Sequence, residues 1–232
     1  MAEQGYRQFC PVAMAAEVLC TRWTMVVLRE LVAGSTRFND LRRGVPRMSP
    51  TLLSKRLREL EAAGILTRRP ARDDPEHMAY ELTEAGRDLA PVIESMGLWG
   101  QKWVQAEPSL KNVDPGLLMW DMRRNLDPTP MPRRKCVISF HYTDQPESRQ
   151  GWWLIVDPGR SVDLCSIDPG FDVDLFVETD LKSMTAVWMG LTTLEAIIEQ
   201  GRLDLTGDRV LAGRMRDWLG RSPFAGQKKL AH

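Results

Sequence analysis

The side chains with the clearest chemical purpose form a basic cluster in the first third of the chain. Between Thr36 and Arg72 there are ten arginines and lysines against three acids, so this window carries a net charge of +7. The whole chain has a formal net charge of zero, so the remainder is acidic. A concentrated basic window on such a chain indicates a polyanion as the partner. Nine of the ten bases are arginine, whose planar guanidinium suits phosphate oxygens and base edges.

No second group of reactive residues indicates a catalytic site. The four cysteines lie far apart without a Cys-x-x-Cys pair, and the three histidines are scattered. We recognise no Ser/His/Asp arrangement, no paired carboxylates and no glycine-rich phosphate loop. We therefore expect a protein that is not an enzyme and that uses neither a metal nor a cofactor.

Hydropathy excludes two further classes of protein. No stretch approaches the roughly 20 apolar residues that a membrane helix needs. The polar start of the chain is not followed by the apolar core of a secretory signal. We expect a cytoplasmic protein with no membrane partner, whose cysteines are reduced.

The elements that must position the basic cluster are mostly helical. Apolar spacing predicts helices over residues 12–20 and 23–32 and a short helix over 38–43. Ser49 is then a good N-cap with Pro50 at the first helical position, and the next helix runs to Gly64. Three leucines at helical spacing should face the core, which turns the polar side chains outward: Leu53, Leu57 and Leu60 against Thr51, Ser54, Lys55 and Arg58.

After Gly64 the apolar period changes from that of a helix to that of strands. Residues 65–69 and 78–82 are predicted to pair as a hairpin with basic residues near its tip. Thr83 caps a longer helix, in which Pro91 bends the chain or marks a second start. Its apolar residues step by three and four, so this stripe pairs with a second copy or packs within the same chain: Leu89, Val92, Met96, Trp99 and Trp103.

The order of helix, helix, short helix, basic helix and basic hairpin is that of a winged helix-turn-helix. A helix fits the major groove of B-DNA, where side chains near its N-terminus reach base edges, while hairpin arginines reach the adjacent groove or backbone. The predicted partner is double-stranded DNA. The predicted contact residues are Arg37, Arg47, Ser49, Pro50, Thr51, Ser54, Lys55, Arg58, Arg68, Arg69 and Arg72.

Residues 8–105 resemble the HxlR-type winged-helix transcriptional regulators. The resemblance is carried by Cys10-Pro11, Arg22-Trp23-Thr24, Leu28-Arg29-Glu30-Leu31, Arg37-Phe38-Asn39-Asp40-Leu41, the run from Met48 to Glu61, Gly64-Ile65-Leu66 and Tyr80-Glu81-Leu82-Thr83-Glu84-Ala85-Gly86. Thr21 stands where the family often has glycine. The resemblance implies a homodimeric regulator, which we expect to act as a repressor. It also implies a recognition helix over 49–63 and a wing over 65–83.

Cys10 is a candidate redox sensor because of this resemblance. Several family members respond to oxidants or electrophiles through a cysteine near the N-terminus, and Cys10 occupies that place. A reactive thiol needs a lowered pKa and exposure, and Arg7 is the one nearby residue that would lower the pKa of Cys10. A structural cysteine is the alternative.

The second half predicts a separate α+β domain. Four strands (135–142, 152–156, 162–165 and 173–178) precede helices over 181–189 and 193–200, a short strand over 202–205 and a helix over 208–219. We expect a winged-helix domain that also dimerises over residues 1–107 and an α+β domain over 112–232. The second domain resembles the sterol-carrier-protein-2 (SCP2) fold through Met184–Gly190 and Gly201–Asp208.

The SCP2-like resemblance implies an apolar cavity between the sheet and its helices. Its predicted lining is Trp152, Ile155, Leu164, Leu175, Met184, Trp188 and Met189. Tryptophan and methionine suit a lipid-like or aromatic small molecule, and plain core or a dimer platform are the alternatives. A different function is also open at this stage, namely a small-molecule carrier whose winged helix serves protein contacts.

Overall fold

The computed structural model describes residues 5–72, 74–105, 110–111, 113–159 and 162–230. The chain divides into two compact units, Met1–Gly97 and Leu98–His232. The predicted boundary has its two ends at residues 107 and 112, which lie outside the described residues, so it stays a prediction.

The first unit begins with four helices. These are α1 (Pro11–Leu19), α2 (Thr24–Val32), α3 (Phe38–Gly44) and α4 (Pro50–Ala62). A proline opens α1 and α4, where its missing N–H costs no hydrogen bond. The Oγ atom of Ser49 accepts a hydrogen bond of 3.3 Å from the N–H of Leu52, which confirms the predicted cap. Trp23, just before α2, has a left-handed backbone with φ of +79°.

A two-stranded hairpin follows the helices of the first unit. Its antiparallel strands are β1 (Leu66–Pro70) and β2 (Met78–Leu82), with Leu66 opposite Leu82. Two helices complete the segment, α5 (Glu84–Arg87) and α6 (Ala90–Trp103). Pro91 is the second residue of α6, which confirms that it marks a second helix start. Gly86 in α5 packs so closely that a Cβ atom there would overlap the carbonyl oxygen of Ile65.

The core of the first unit lies between α2, α4 and the hairpin. Leu53, Leu57 and Leu60 are at most 1% exposed, as their helical spacing predicts. They pack with Val27 and Leu28 of α2. Burying the apolar side of α4 leaves its opposite side to solvent, and this opposite side is the one that carries the predicted DNA contacts.

The second unit contains a five-stranded sheet. Its strands are β3 (Cys136–Tyr142), β4 (Gly151–Val156), β5 (Asp163–Cys165), β6 (Leu175–Thr179) and β7 (Leu203–Gly207). They are ordered β5-β4-β3-β6-β7, and β3 pairs with β6 in parallel while the other neighbours are antiparallel. The predicted strands are confirmed within a few residues.

Within the described residues, six helices of four residues or more accompany the sheet. They are α7 (Pro115–Asn125), α8 (Glu147–Gln150), α9 (Leu181–Trp188), α10 (Leu194–Glu199), α11 (Arg209–Gly213) and α12 (Met215–Trp218). The prediction of one continuous helix over 208–219 is wrong. The segment forms two short helices, α11 and α12, with Arg214 between them. The apolar core combines one face of the sheet with helix residues that include Met119, Met184 and Trp218.

The described residues were also compared with the requirements of a membrane-spanning helix and of a metal site. No single helix among them is long and apolar enough to cross a membrane; α1 and α2, bent by 86°, reach that length and composition only when counted together. Within the same ranges, no group of three or more His, Cys, Asp or Glu side chains is placed to hold a metal ion.

Candidate nucleic-acid interface

The solvent-facing side of α4 carries short polar side chains near its N-terminus and cations further along. Ser49, Thr51, Lys55 and Arg58 are exposed, and Ser54 is half-buried. Pro50, also a predicted contact, is exposed at the start of the helix. Lys55 is 61% exposed and its Nζ atom lies 3.9 Å from Glu59, a weak i,i+4 pair that leaves the ammonium accessible. A capped helix with this face can approach a DNA groove closely.

Arg56 differs from the other cations of α4 although it belongs to the same basic cluster. Its Nε atom donates a hydrogen bond of 3.0 Å to the carbonyl oxygen of Arg22, and its guanidinium pairs with Glu59. The Arg56 side chain is 11% exposed. Arg56 therefore fixes α4 to the residues before α2, and it was not among the predicted DNA contacts.

The hairpin separates two arginines that the sequence places side by side. Arg68 lies opposite Tyr80 and Arg69 opposite Ala79, so their side chains project from opposite faces of the hairpin. Both are exposed, as is Arg72 beyond the end of β1. Arg68 alone of these three lines a cleft toward α4.

That cleft lies between the start of α3, the polar face of α4 and the hairpin. It has a volume of about 610 Å³ and joins residues from all three elements. Ser54 of α4 forms one wall and Arg68 of the hairpin another, so two predicted contact groups border one concave surface. The remaining lining residues are Arg37, Phe38, Asn39, Asp40, Glu76, His77, Met78 and Tyr80.

Arg37 and Arg47 lie at the two ends of the α3 region. Arg37 is the N-cap residue of α3, and its Nη1 atom lies 3.4 Å from the carboxylate of Asp74 in the hairpin loop. Arg47 is exposed in the turn that joins α3 to α4. These two arginines therefore flank the helix-turn-helix, one beside the hairpin and one beside the N-terminus of α4.

A buried carboxylate beneath this turn is a positioning group that sequence reasoning missed. Glu30 of α2 is 0% exposed, and it accepts hydrogen bonds from Arg29 (2.6 Å) and from the Ser35 hydroxyl (3.3 Å). The same Arg29 guanidinium donates to the carbonyl oxygen of Gly44, the last residue of α3, at 2.8 Å. The available signal was a charged pair, Arg29-Glu30, within an otherwise apolar helix.

Cys10 occupies the N-cap position of α1 and is partly exposed. The backbone N–H groups of Ala13 and Val12, in the first turn of α1, lower the pKa of its thiol. Because these N–H groups stabilise the thiolate, the start of α1 lowers the pKa of Cys10, an effect that we did not predict from the sequence. Cys20 is exposed at the other end of α1.

An exposed apolar stripe runs along α6. Val92, Met96, Trp99 and Trp103 are between 45% and 61% exposed, whereas Leu89, just before the helix, packs against the core of the first unit. On α1 and just before it, Phe9, Val12 and Met14 are also exposed, by 99%, 76% and 58%. Exposed apolar side chains in such number are typical of an interaction site.

The seven residues predicted to line a ligand cavity do not share one environment. Leu175, Met184 and Trp188 are core residues, and Trp152 and Leu164 pack against that core. Ile155 lies on the opposite face of the sheet, because Leu154 and Val156 of the same strand point into the core. Met189 is partly exposed beyond the end of α9, with its backbone oxygen accepting from Gln101. An apolar ligand stays a prediction.

Comparison with known proteins places the first unit in a family. A model described as HxlR-like helix-turn-helix matches residues 18–108. YvaP of Bacillus subtilis, an uncharacterized HTH-type transcriptional regulator, is 33% identical over 98 residues, which span 42% of this chain and 91% of YvaP. The regulator Rv3095 of Mycobacterium tuberculosis is 37% identical over 145 residues, spanning 55% of this chain and 90% of its own.

Among solved structures, the reduced form of the transcriptional regulator YodB from B. subtilis is 29% identical. The match covers 42% of this chain and 97% of that chain with a TM-score of 0.37. The family model ends at residue 108, so the SCP2-like resemblance of the second unit stays a prediction. Because the curated relatives are matched over most of their length at more than 30% identity, this chain belongs to the HxlR-like helix-turn-helix family.

Proposed function

We propose that this chain is a dimeric, sequence-specific DNA-binding transcriptional regulator that inserts α4 into the major groove. The observation that carries the proposal is that α4 has one buried apolar side and one exposed polar side. Its leucine side is at most 1% exposed, while Thr51, Lys55 and Arg58 face solvent. The neighbouring hairpin adds the exposed arginines Arg68, Arg69 and Arg72. A helix whose free face is polar and cationic, with Ser49 capping its first turn, suits base edges and phosphates together.

The proposal is tested by selecting duplexes from a random library with the purified full-length chain and measuring affinity by fluorescence anisotropy. We expect a preferred duplex that binds at least about 1,000-fold more tightly than random DNA. Affinity should fall with salt, with a slope of roughly −0.9 for each phosphate neutralised. Absence of duplex binding at low salt would show that the cationic face serves something else.

Two copies of the chain associate, in this proposal, through the exposed stripe of α6 together with the apolar residues of α1. Dimerisation would cover Met96 and Trp99, which are 56% and 61% exposed. It would also place two α4 helices on one duplex, and a two-fold dimer reads two half-sites about one helical turn apart.

Replacing Met96 and Trp99 with aspartate is therefore expected to convert the dimer into a monomer, because two desolvated carboxylates would oppose association in each copy. Light scattering after size-exclusion chromatography measures the mass, and affinity for the selected duplex should fall at least about tenfold. Ile167→Asp is the matched control, since Ile167 is 81% exposed in the second unit. An unchanged mass for the double variant would place the dimer surface elsewhere.

Thiol chemistry at Cys10 is a second proposed property, supported by the lowered pKa of its thiol. Cys10 and Cys20 flank the nine-residue α1, which puts them about 15 Å apart at 1.5 Å per residue. A disulfide needs Cα atoms within about 7 Å. Oxidation of Cys10 would therefore yield a mixed disulfide or a bond to another copy, and not a bond to Cys20 of the same chain.

The Cys10 proposal predicts that diamide lowers the DNA affinity of the wild-type chain and of Cys20→Ser, and that Cys10→Ser abolishes this response. The lowered pKa should also make Cys10 react with iodoacetamide at a lower pH than an ordinary thiol, which mass spectrometry of the peptide can follow. Equal diamide sensitivity with and without Cys10 would leave this residue a purely structural role.

A further inference from the structure

The loop at the tip of the hairpin is held in a closed turn by its own backbone. The N–H of Ala71 donates to the carbonyl oxygen of His77 at 2.8 Å, and the N–H of His77 donates to that of Asp74 at 3.0 Å. These bonds fix Ala71, Asp74 and His77 of the loop relative to one another. They do not fix the distance between the loop and α4, which depends on contacts that the loop makes with other parts of the first unit.

Asp74 supplies such a contact. Its Oδ2 atom lies 2.8 Å from Nδ1 of His77, within the loop, and 3.4 Å from Nη1 of Arg37, which precedes α3. The Asp74 and Arg37 side chains are 38% and 31% exposed, so the pair is partly shielded from water. One carboxylate thus connects the loop to the start of the helix-turn-helix.

The backbone makes the same connection one step further along. Arg37 forms an isolated antiparallel bridge with Ala79 of β2, and the N–H of Tyr80 donates to the carbonyl oxygen of Thr36 at 2.8 Å. Arg37 therefore joins the hairpin through both its backbone and its guanidinium. Because Arg37 caps α3 and α3 leads directly into α4, this joint controls where the hairpin lies relative to α4.

We propose that Asp74 is a positioning residue for DNA binding, which holds the hairpin loop to Arg37 so that Arg68 faces the cleft beside α4. On this view Arg37 acts on DNA affinity through Asp74 and is not a direct phosphate contact. The proposal rests on the DNA-binding function proposed above. The proposal predicts the opposite of a simple charge effect. A carboxylate near DNA repels the phosphate backbone, so on charge alone the removal of Asp74 would tighten binding.

The decisive experiment compares Asp74→Asn with Glu76→Gln. Glu76 lines the same cleft and is exposed, and within the described residues it has no ion-pair partner. Both substitutions remove one negative charge, but only Asp74→Asn breaks the joint. We expect Glu76→Gln to bind the selected duplex slightly more tightly than wild type, because it removes a negative charge from the cleft. Asp74→Asn should bind roughly three- to tenfold more weakly, since each copy of the dimer loses a modest ion pair.

A double-mutant cycle then separates positioning from direct contact for Arg37. If Arg37 acts through Asp74, Arg37→Gln weakens binding in the wild-type background and has little further effect in Asp74→Asn. A direct phosphate contact would instead cost the same in both backgrounds and would reduce the salt slope by about one in each.

Amide hydrogen exchange provides the control for folding. Peptides over residues 71–80 should exchange faster in Asp74→Asn while peptides over 53–60 keep the wild-type rate. Equal or tighter binding by Asp74→Asn, or additive effects in the cycle, would overturn the proposal. Failure of the wild-type chain to bind any duplex would instead overturn the underlying function, so the two failures are distinguishable.

Discussion

Replacing Lys55 with glutamate should lower the affinity for the selected duplex by on the order of 100-fold, because the change counts twice in a dimer. Lys55 is 61% exposed on the face of α4 opposite its buried leucines, where it can donate to guanine or to a phosphate. The substitution removes this donor and sets a carboxylate against the DNA. Loss of one good base contact costs roughly 1–3 kcal/mol in each half-site.

The matched control for Lys55→Glu is Lys182→Glu, which makes the same charge change at an exposed position of α9 in the second unit. Anisotropy titrations at several salt concentrations report both affinity and salt slope. We expect Lys182→Glu to bind like wild type. If both variants lost affinity equally, net charge and not the α4 face would govern binding, and the major-groove assignment would be wrong.

Replacing Gly44 with alanine should destabilise the first unit by about 3 kcal/mol, the range seen when a buried charge loses its partners. A Cβ atom at Gly44 would overlap the carboxyl group of Glu30. That carboxylate is fully buried and accepts from Arg29 and Ser35, so it cannot move aside without losing these bonds. The α3–α4 turn would shift, and DNA affinity should fall together with stability.

Hydrogen exchange of peptides in α2 and α4 measures the Gly44→Ala effect within the first unit, and peptides of the second unit provide the internal reference. Gly213→Ala is the matched control, since a Cβ atom there meets nothing within 4 Å. The combination of Glu30→Ala with Gly44→Ala should cost less than the sum of the two single changes, because the truncated side chain no longer meets the new methyl group. Strict additivity would show that the two residues do not act on each other.

Local features of the first unit were predictable because they depend on neighbours within a few residues. The Ser49 cap, the proline at the start of α4 and the buried side formed by Leu53, Leu57 and Leu60 follow from helix geometry alone. The hairpin and the second helix start near Pro91 follow in the same way. These elements are confirmed close to their predicted bounds.

The roles of individual arginines could not be predicted from the window that contains them. Arg56 bonds to a carbonyl oxygen 34 residues away, and Arg37 pairs with Asp74, 37 residues away. A long cationic side chain takes whichever acceptor the fold brings near it, and sequence spacing carries no information about that. The alternation of the hairpin similarly separated Arg68 from Arg69.

In the second unit, too, the sequence predicted local elements but not the contacts between them. The sequence alone located its strands, because turn-forming residues bound short apolar runs. Pairing of β3 with β6 in parallel, and the placement of Ile155 on the face opposite Leu154, appeared only in the folded sheet.

For this protein, the sequence by itself determined where most helices and strands begin and which side of α4 is apolar. It also located a basic cluster between Thr36 and Arg72. Tertiary structure decided which cations are tied down, where the buried Glu30 carboxylate lies and how the strands pair. The physical reason is the sequence distance over which each interaction acts. Helix caps and apolar periodicity depend on residues within one or two helical turns. Burial, ion pairing and strand order depend on contacts between residues that are distant in sequence.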